Sequence, residues 1–287
     1  MTWHRLDLQV PEPFHGEALL VFFGRHAVPG VETYLDTEAP DGRRINYART
    51  LRLTHGPALL RLVWAAGRLS AEVDLADDRD HLEAERRVGH LCDLGADITT
   101  IEGRLGRDAV LAPLVAASPG LRVPGVVDVE EHLFRTMIGQ QISLAGAANC
   151  AGKLVARFGE PHGEDSGVSP SQLFPTAAAL ATADPETLPM PRARGRALVL
   201  LAEALAGGAL RLDGDPADVR AALLAQRGIG PWTADYVLMR GFHEPDILLA
   251  SDLVIKRELI RRQIADTSAW SPWRSYATMH LWRSWTG

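Results

Sequence analysis

Hydrophobic and polar positions alternate at strand spacing through the N-terminal part of the chain. The alternating segments are RLDLQV, VETYLDTE, RRINYARTLRL, ALLRLVW and RLSAEVDL, set apart by turn pieces such as APDGRR, THGP and AAGR. Two stretches change to three- and four-residue spacing: HGEALLVFFGRHA ahead of the second strand, and DRDHLEAERRVGHLCDL after the last. The pattern predicts an antiparallel sheet with helices on one face, an α+β unit.

At Ser118 the sequence SPGLRVPG breaks this pattern, and helical periodicity follows. The expected division is an N-terminal sheet domain over 1–117 and a mostly helical region over 118–287. Asp128 stands three residues before Glu131, a capping-box spacing ahead of the apolar run LFRTMI, and Gly139 closes that helix. Ser143 is placed to cap LAGAANCAGKLVARFG, with Gln140, Gln141 and Ile142 in the connection. Proline suits the first helical position, so Asp184–Pro185, Asp215–Pro216 and Ser271–Pro272 read as helix starts. GEPHGEDSGVSPSQ reads as an exposed loop.

PADVRAALLAQRGIGPWTADYVLMRGF reads as helix, glycine hairpin, helix. Gly228 and Gly230 remove side chains around Ile229, and Pro231 presets the second helix. Unpaired amides at such a helix start can grip a phosphate whatever the base sequence; the same pattern also makes an ordinary core hairpin. Trp232 and Tyr236 share one face of the second helix. Trp273 and Trp282 are nine residues apart, on opposite faces of the last one. Aromatic faces of this kind either hold a base rotated out of the stack or fill a core. HEPDILLASDLVIKRELIRR then offers two carboxylates, Asp246 and Asp252. Asp252 is well placed as a helix cap. Either could stabilise the sugar cation formed when a glycosidic bond breaks.

Composition narrows the setting. With 287 residues, 46% of them hydrophobic, the chain can fill more than one core. Neither a membrane span nor the apolar stretch of a signal peptide appears, and Cys92 and Cys150 are too few for a four-thiolate metal site. A cytoplasmic protein with two buried apolar thiols is expected. A net charge of −6 and a pI near 5.9 weigh mildly against a nucleic-acid partner. The distribution tempers this: acidic residues crowd Glu72, Asp74, Asp77, Asp78, Asp80, Glu83 and Glu85, while Arg192, Arg194 and Arg196 cluster, as do Lys256, Arg257, Arg261 and Arg262. Each run also reads as a solvated helix face.

The segments VFFGRHAVPGVE, LRVPGVVD, FRTMIGQQIS, GIGPWTADY, LASDLVIKRE and WRSYATMHLW resemble the AlkA-type 3-methyladenine DNA glycosylases of the helix-hairpin-helix superfamily, over nearly the whole chain. The resemblance implies a TATA-binding-protein-like sheet domain and two helical subdomains flanking a cleft. It assigns catalysis to Asp252 and not Asp246, and a base pocket to Trp232, Tyr236, Trp282 and Phe22; Trp273 is then structural. Relatives that also cut the backbone carry a lysine where this chain has Trp232, so a monofunctional hydrolase without a Schiff base is implied. Two positions depart from the family pattern. An aliphatic wedge is expected where Gln141 stands, leaving Gln141 or Ile142 to insert into DNA, and His26 stands beside the pocket where an arginine is familiar. The implied partner is duplex DNA carrying alkylated purines such as 3-methyladenine and 7-methylguanine, in base excision repair. A monomer without cofactor is implied, save for a monovalent cation under the hairpin carbonyls when DNA is bound. The rival readings are a non-catalytic helix-hairpin-helix module for damaged DNA, a glycosylase/lyase, and an enzyme of free nucleosides.

Overall fold

Alternation becomes register in the computed structural model, which describes residues 3–39, 42–163 and 169–285. The strands β1 (Trp3–Arg5), β2 (Glu32–Ala39), β3 (Gly42–Arg52), β4 (Pro57–Ala65) and β5 (Arg68–Leu75) form one antiparallel sheet, in the order β1-β5-β4-β3-β2. Residues of one parity face inward. Ile45, Tyr47 and Leu51 on β3, Leu60 and Leu62 on β4, and Ala71 and Val73 on β5 are buried against α1 (Gly16–Arg25) and α2 (His81–Leu91). Each large apolar side chain so buried contributes about 1.5–3 kcal/mol, and a one-residue slip would turn the whole set outward. The expected α+β class is the one observed. The first strand lies ahead of RLDLQV and meets it only at Arg5: after Leu6 donates to Ala71 the chain leaves the sheet towards Pro11 and Pro13, which carry no amide donor for a ladder.

Beyond the sheet follow α3 (Ile98–Leu105), α4 (Ala112–Ala117), α5 (Val129–Gly139) and α6 (Leu144–Phe158). Asp128 caps α5 through the Glu131 amide at 2.9 Å and Ser143 caps α6 through Gly146 at 3.1 Å. The reciprocal half of the capping box is missing, because the Glu131 carboxylate turns to Arg49 and Arg135. In the stretch expected to be a loop, β6 (Glu160–Pro161) pairs with β7 (Gln172–Leu173), and the amides of Ser171 and Gln172 donate to Gly30. Residues 164–168 of that stretch lie outside the described residues.

The remaining helices are α7 (Ala177–Ala181), α8 (Arg192–Ala206), α9 (Pro216–Leu224), α10 (Pro231–Gly241), α11 (Leu253–Arg261) and α12 (Arg274–Ser284). Asp215 caps α9, but Asp184 opens only a 3-10 turn at Pro185–Thr187. Ser271–Pro272 does not start a helix. Ser271 closes another 3-10 turn and donates to Asp246, and α12 begins only at Arg274.

A second core gathers α5, α6, α8 and α10. A third joins Ile98, Ile101, Leu121 and Val123 to Leu249, Ile255, Trp270 and Leu281 from the far end of the chain. Cys92 and Cys150 are free and buried. No helix among the described residues is long and apolar enough to cross a membrane.

Candidate active site

The hairpin before α10 is set by its glycines. Gly228 has φ +85°, and a Cβ there would lie 3.1 Å from Met137 Cε and 3.2 Å from Ala197 Cβ. Both the backbone and the close packing therefore require glycine. Ile229 between the glycines is 7% exposed and joins the second core, so its side chain anchors the hairpin. Gly230 is the N-cap of α10; it supplies no side-chain acceptor, and a Cβ there would meet nothing within 4 Å. Gln140 Nε2 donates to the Gly228 carbonyl and to Thr233 Oγ1, both at 3.0 Å, fixing the turn that follows α5 beside the hairpin. The Gly228 carbonyl of the hairpin thus already accepts from a side-chain amide. In the turn, Gln141 is exposed at φ +58°, whereas Ile142 is 42% exposed and lines the cleft described next.

That cleft, about 1070 Å3, opens between α1, α5, α10 and α12. Asp252, Trp232, Tyr236, Trp282, Phe22 and His26 all line it. The ring of Trp232 stacks on Tyr236 at 5.2 Å and 24°, and Trp282 meets Tyr236 edge-on at 6.0 Å. Trp273 lies outside the lining, packed against Tyr276 just before α12.

Four donors converge on the Asp252 carboxylate. Oδ1 accepts from the amides of Val254 and Ile255 at 2.9 and 3.1 Å, which caps α11, and from Trp282 Nε1 at 3.1 Å. Oδ2 accepts from Trp232 Nε1 alone, at 3.2 Å. The carboxylate is therefore fixed in plane, half-buried, with its less occupied oxygen towards the aromatic face. Asp246 has a different setting. It receives Arg274 Nε and a terminal guanidinium nitrogen, each at 2.7 Å, and the Ser271 hydroxyl at 2.9 Å. The guanidinium holds its carboxyl below the usual range and ties the start of α12 to the preceding loop.

Three residues that local pattern did not mark complete the wall. Arg240 donates to the carbonyls of Pro124 and Gly125 and to Tyr236 Oη, with its charge 4.9 Å from the Phe22 ring centre and 5.5 Å from that of Tyr236. Standing one turn past Tyr236, it continues the Trp232–Tyr236 stripe, and that spacing was its available signal. Arg135 donates to the His26 carbonyl at 2.6 Å and pairs with Glu131 and Glu32. His132 is buried beside Tyr236, their ring centres 5.2 Å apart, in an otherwise ordinary helix sequence. Burial, reinforced by Arg240 and Arg135, keeps His132 neutral. Burial and Arg240 likewise take His26 down to about 4.

The charge runs are largely engaged within the chain. Arg192 and Arg196 pair with Glu186, and Arg261 and Arg262 with Glu258. Asp77 binds Arg79, Glu83 binds Arg87, and the buried Asp80 holds His55. Lysine occurs only at positions 153 and 256, and neither lines the cleft. The metal-binding side chains of the described residues form no group of three.

Residues 5–128 match the family model described as the AlkA N-terminal domain. A Mycobacterium tuberculosis protein, described as a probable bifunctional transcriptional activator/DNA repair enzyme AlkA, is 39% identical over 96% of the chain. The chain spans 56% of that relative's length. Escherichia coli DNA-3-methyladenine glycosylase 2 is 34% identical, with 94% of each chain covered. Among solved structures, the 3-methyladenine DNA-glycosylase from Archaeoglobus fulgidus shares the fold, with a TM-score of 0.74 at 22% identity over 98% of this chain and 97% of its own.

Proposed function

Because the chain belongs to the AlkA family of DNA glycosylases, we propose that it hydrolyses the N-glycosidic bond of alkylated purines in duplex DNA, the first step of base excision repair. The observation that carries this reading is Asp252, bonded to two indole N–H groups at the mouth of an aromatic cleft. A purine rotated out of the duplex stacks on the Trp232–Tyr236 face, with Trp282 at its edge. The C1′–N bond breaks with its electron pair leaving on the base. An alkylated purine that is already cationic leaves as a neutral molecule and needs little acid catalysis. The sugar becomes cation-like, and the Asp252 anion stabilises it. Water adds to C1′ and its proton passes to Asp252 or solvent, giving an abasic site in an intact strand. A β-elimination would require an amine nucleophile, and the cleft presents no lysine.

Incubated with methylated duplex DNA, the protein is expected to release free 3-methyladenine and leave strands that break only after hot alkali. Intact bases would favour a binding module, and breaks without alkali a lyase. Activity on free nucleosides alone would remove the need for a DNA anchor.

For the gap left by the rotated nucleotide, Ile142 is the better wedge, being apolar, exposed and part of the cleft mouth. The hairpin amides serve as the phosphate anchor. Gly230 tests this better than Gly228, whose substitution would also strain the fold. Gly230→Val is expected to weaken binding about tenfold on every duplex sequence, the loss of roughly one charge-assisted phosphate bond, with a melting temperature lowered by only a few degrees because valine is a poorer N-cap than glycine. A loss confined to one lesion, measured by fluorescence anisotropy, would contradict a phosphate contact. No step is assigned to a cation at the hairpin.

A further inference from the structure

From Asp252 the contacts along the wall run through Trp232, Tyr236, Arg240 and Phe22 to His26. The imidazole of His26 stacks on Phe22 at 4.2 Å and 26°. Its Nδ1 lies 2.7 Å from the Phe22 carbonyl oxygen. A carbonyl only accepts, so Nδ1 carries the hydrogen. The ring is neutral, and Nε2 is therefore a lone-pair acceptor. No described residue donates to it. An acceptor left bare on a side chain that lines a cavity of this size points to an occupant that satisfies it.

We propose that His26 Nε2 reads the base, accepting a hydrogen bond from an N–H donor on the edge of the purine, so that this cleft prefers purines with such a donor to those lacking it. The proposal deepens the glycosylase reading and rests on it. His26 is a specificity residue here: it touches the base, and the reacting bond is left to Asp252. An acceptor that loses its donor on binding stays desolvated and unpaired, which is why a single missing N–H discriminates strongly.

The test is inhibition of 3-methyladenine release from methylated duplex DNA by two free bases, 3-methyladenine and 3-methylpurine, which lacks the amino group. The wild-type protein should be inhibited about tenfold more strongly by 3-methyladenine. His26→Leu should remove the preference, and His26→Gln, which keeps an acceptor, should retain part of it. A packing role alone would lower both affinities together. Equal inhibition of the wild type by the two bases, including none by either, overturns the proposal, as does an undiminished preference in His26→Leu. Absence of any 3-methyladenine release from wild type overturns the underlying glycosylase reading and the inference with it, an outcome distinct from release without base preference.

Discussion

Asp252→Asn is expected to lower single-turnover release of 3-methyladenine by at least ~10²–10³-fold, the scale on which losing one preorganised electrostatic group acts, while DNA binding persists. Asparagine keeps the shape and still caps α11, since it ranks with aspartate at that position. What it removes is the negative charge opposite the sugar cation. Its amide also faces one of two indole donors with a second donor, because Trp232 and Trp282 approach different oxygens. A stability cost of about 1 kcal/mol is expected from that clash of donors. Asp246→Asn supplies the contrast. It loosens the Arg274 tie at the start of α12 and lowers the melting temperature, yet keeps the chemistry. Full activity in Asp252→Asn, or a folded but inactive Asp246→Asn, would mean that the reacting carboxylate has been misassigned.

Glu32→Ala is expected to destabilise the fold by about 3–5 kcal/mol, the usual result of stripping one partner from a buried ion pair. At roughly 2–4 °C per kcal/mol for a chain of this size class, the melting temperature falls by about 10 °C. Glu32 is 3% exposed at the side chain and accepts from Tyr47 Oη at 2.5 Å, the Val28 amide at 2.7 Å, and Arg135 at 2.9 Å. Arg49, opposite it in the β2–β3 register, turns its other nitrogen to Glu131 at 2.7 Å. Two carboxylates and two guanidiniums balance there, and removing one leaves an uncompensated buried cation. Burial pushes the Glu32 carboxyl up, but Arg135 and Arg49 outweigh it, and the net displacement is downward from the ordinary glutamate value. A carboxyl lowered by folding stabilises at neutral pH and loses that contribution as pH falls below about 4.5. The difference between wild type and Glu32→Ala in calorimetric unfolding should therefore shrink as pH is lowered through that region. A loss below about 1 kcal/mol at pH 7 would show that water screens the network.

Much of this is legible in the sequence alone, and the reason is local. β3 to β5 were readable because each has a wetter and a drier face, so their alternation points to the register; β2, at the sheet edge, is mostly exposed. α1 and α2 carry the longer period for the same reason. Where a single residue carried the signal, reading failed. Ser271–Pro272 has the form of a helix start, but the Ser271 hydroxyl is engaged by Asp246, 25 residues earlier in the chain. The third core joins residues near position 100 to others beyond 249, and no window of sequence contains both. The carboxylates show the same limit. Asp246 and Asp252 both read as candidate carboxylates, and the difference that matters for chemistry lies in Arg274 for one and two indoles for the other. His132 and Arg135 sit on a helix whose sequence announces only its apolar face, so the polar floor of the cleft was invisible.

The two ends of the cleft come from opposite ends of the chain. Phe22 and His26 belong to α1 and its cap in the sheet layer, whereas Asp252 and Trp282 belong to the last helices. On the proposed roles, the hydrogen-bond reading of the base by His26 and the breaking of the bond at Asp252 lie on separate stretches of sequence. Exchanging the α1 segment between relatives should retune which lesions are removed while the reaction itself is conserved, giving this architecture a route to new substrates that leaves its chemistry untouched.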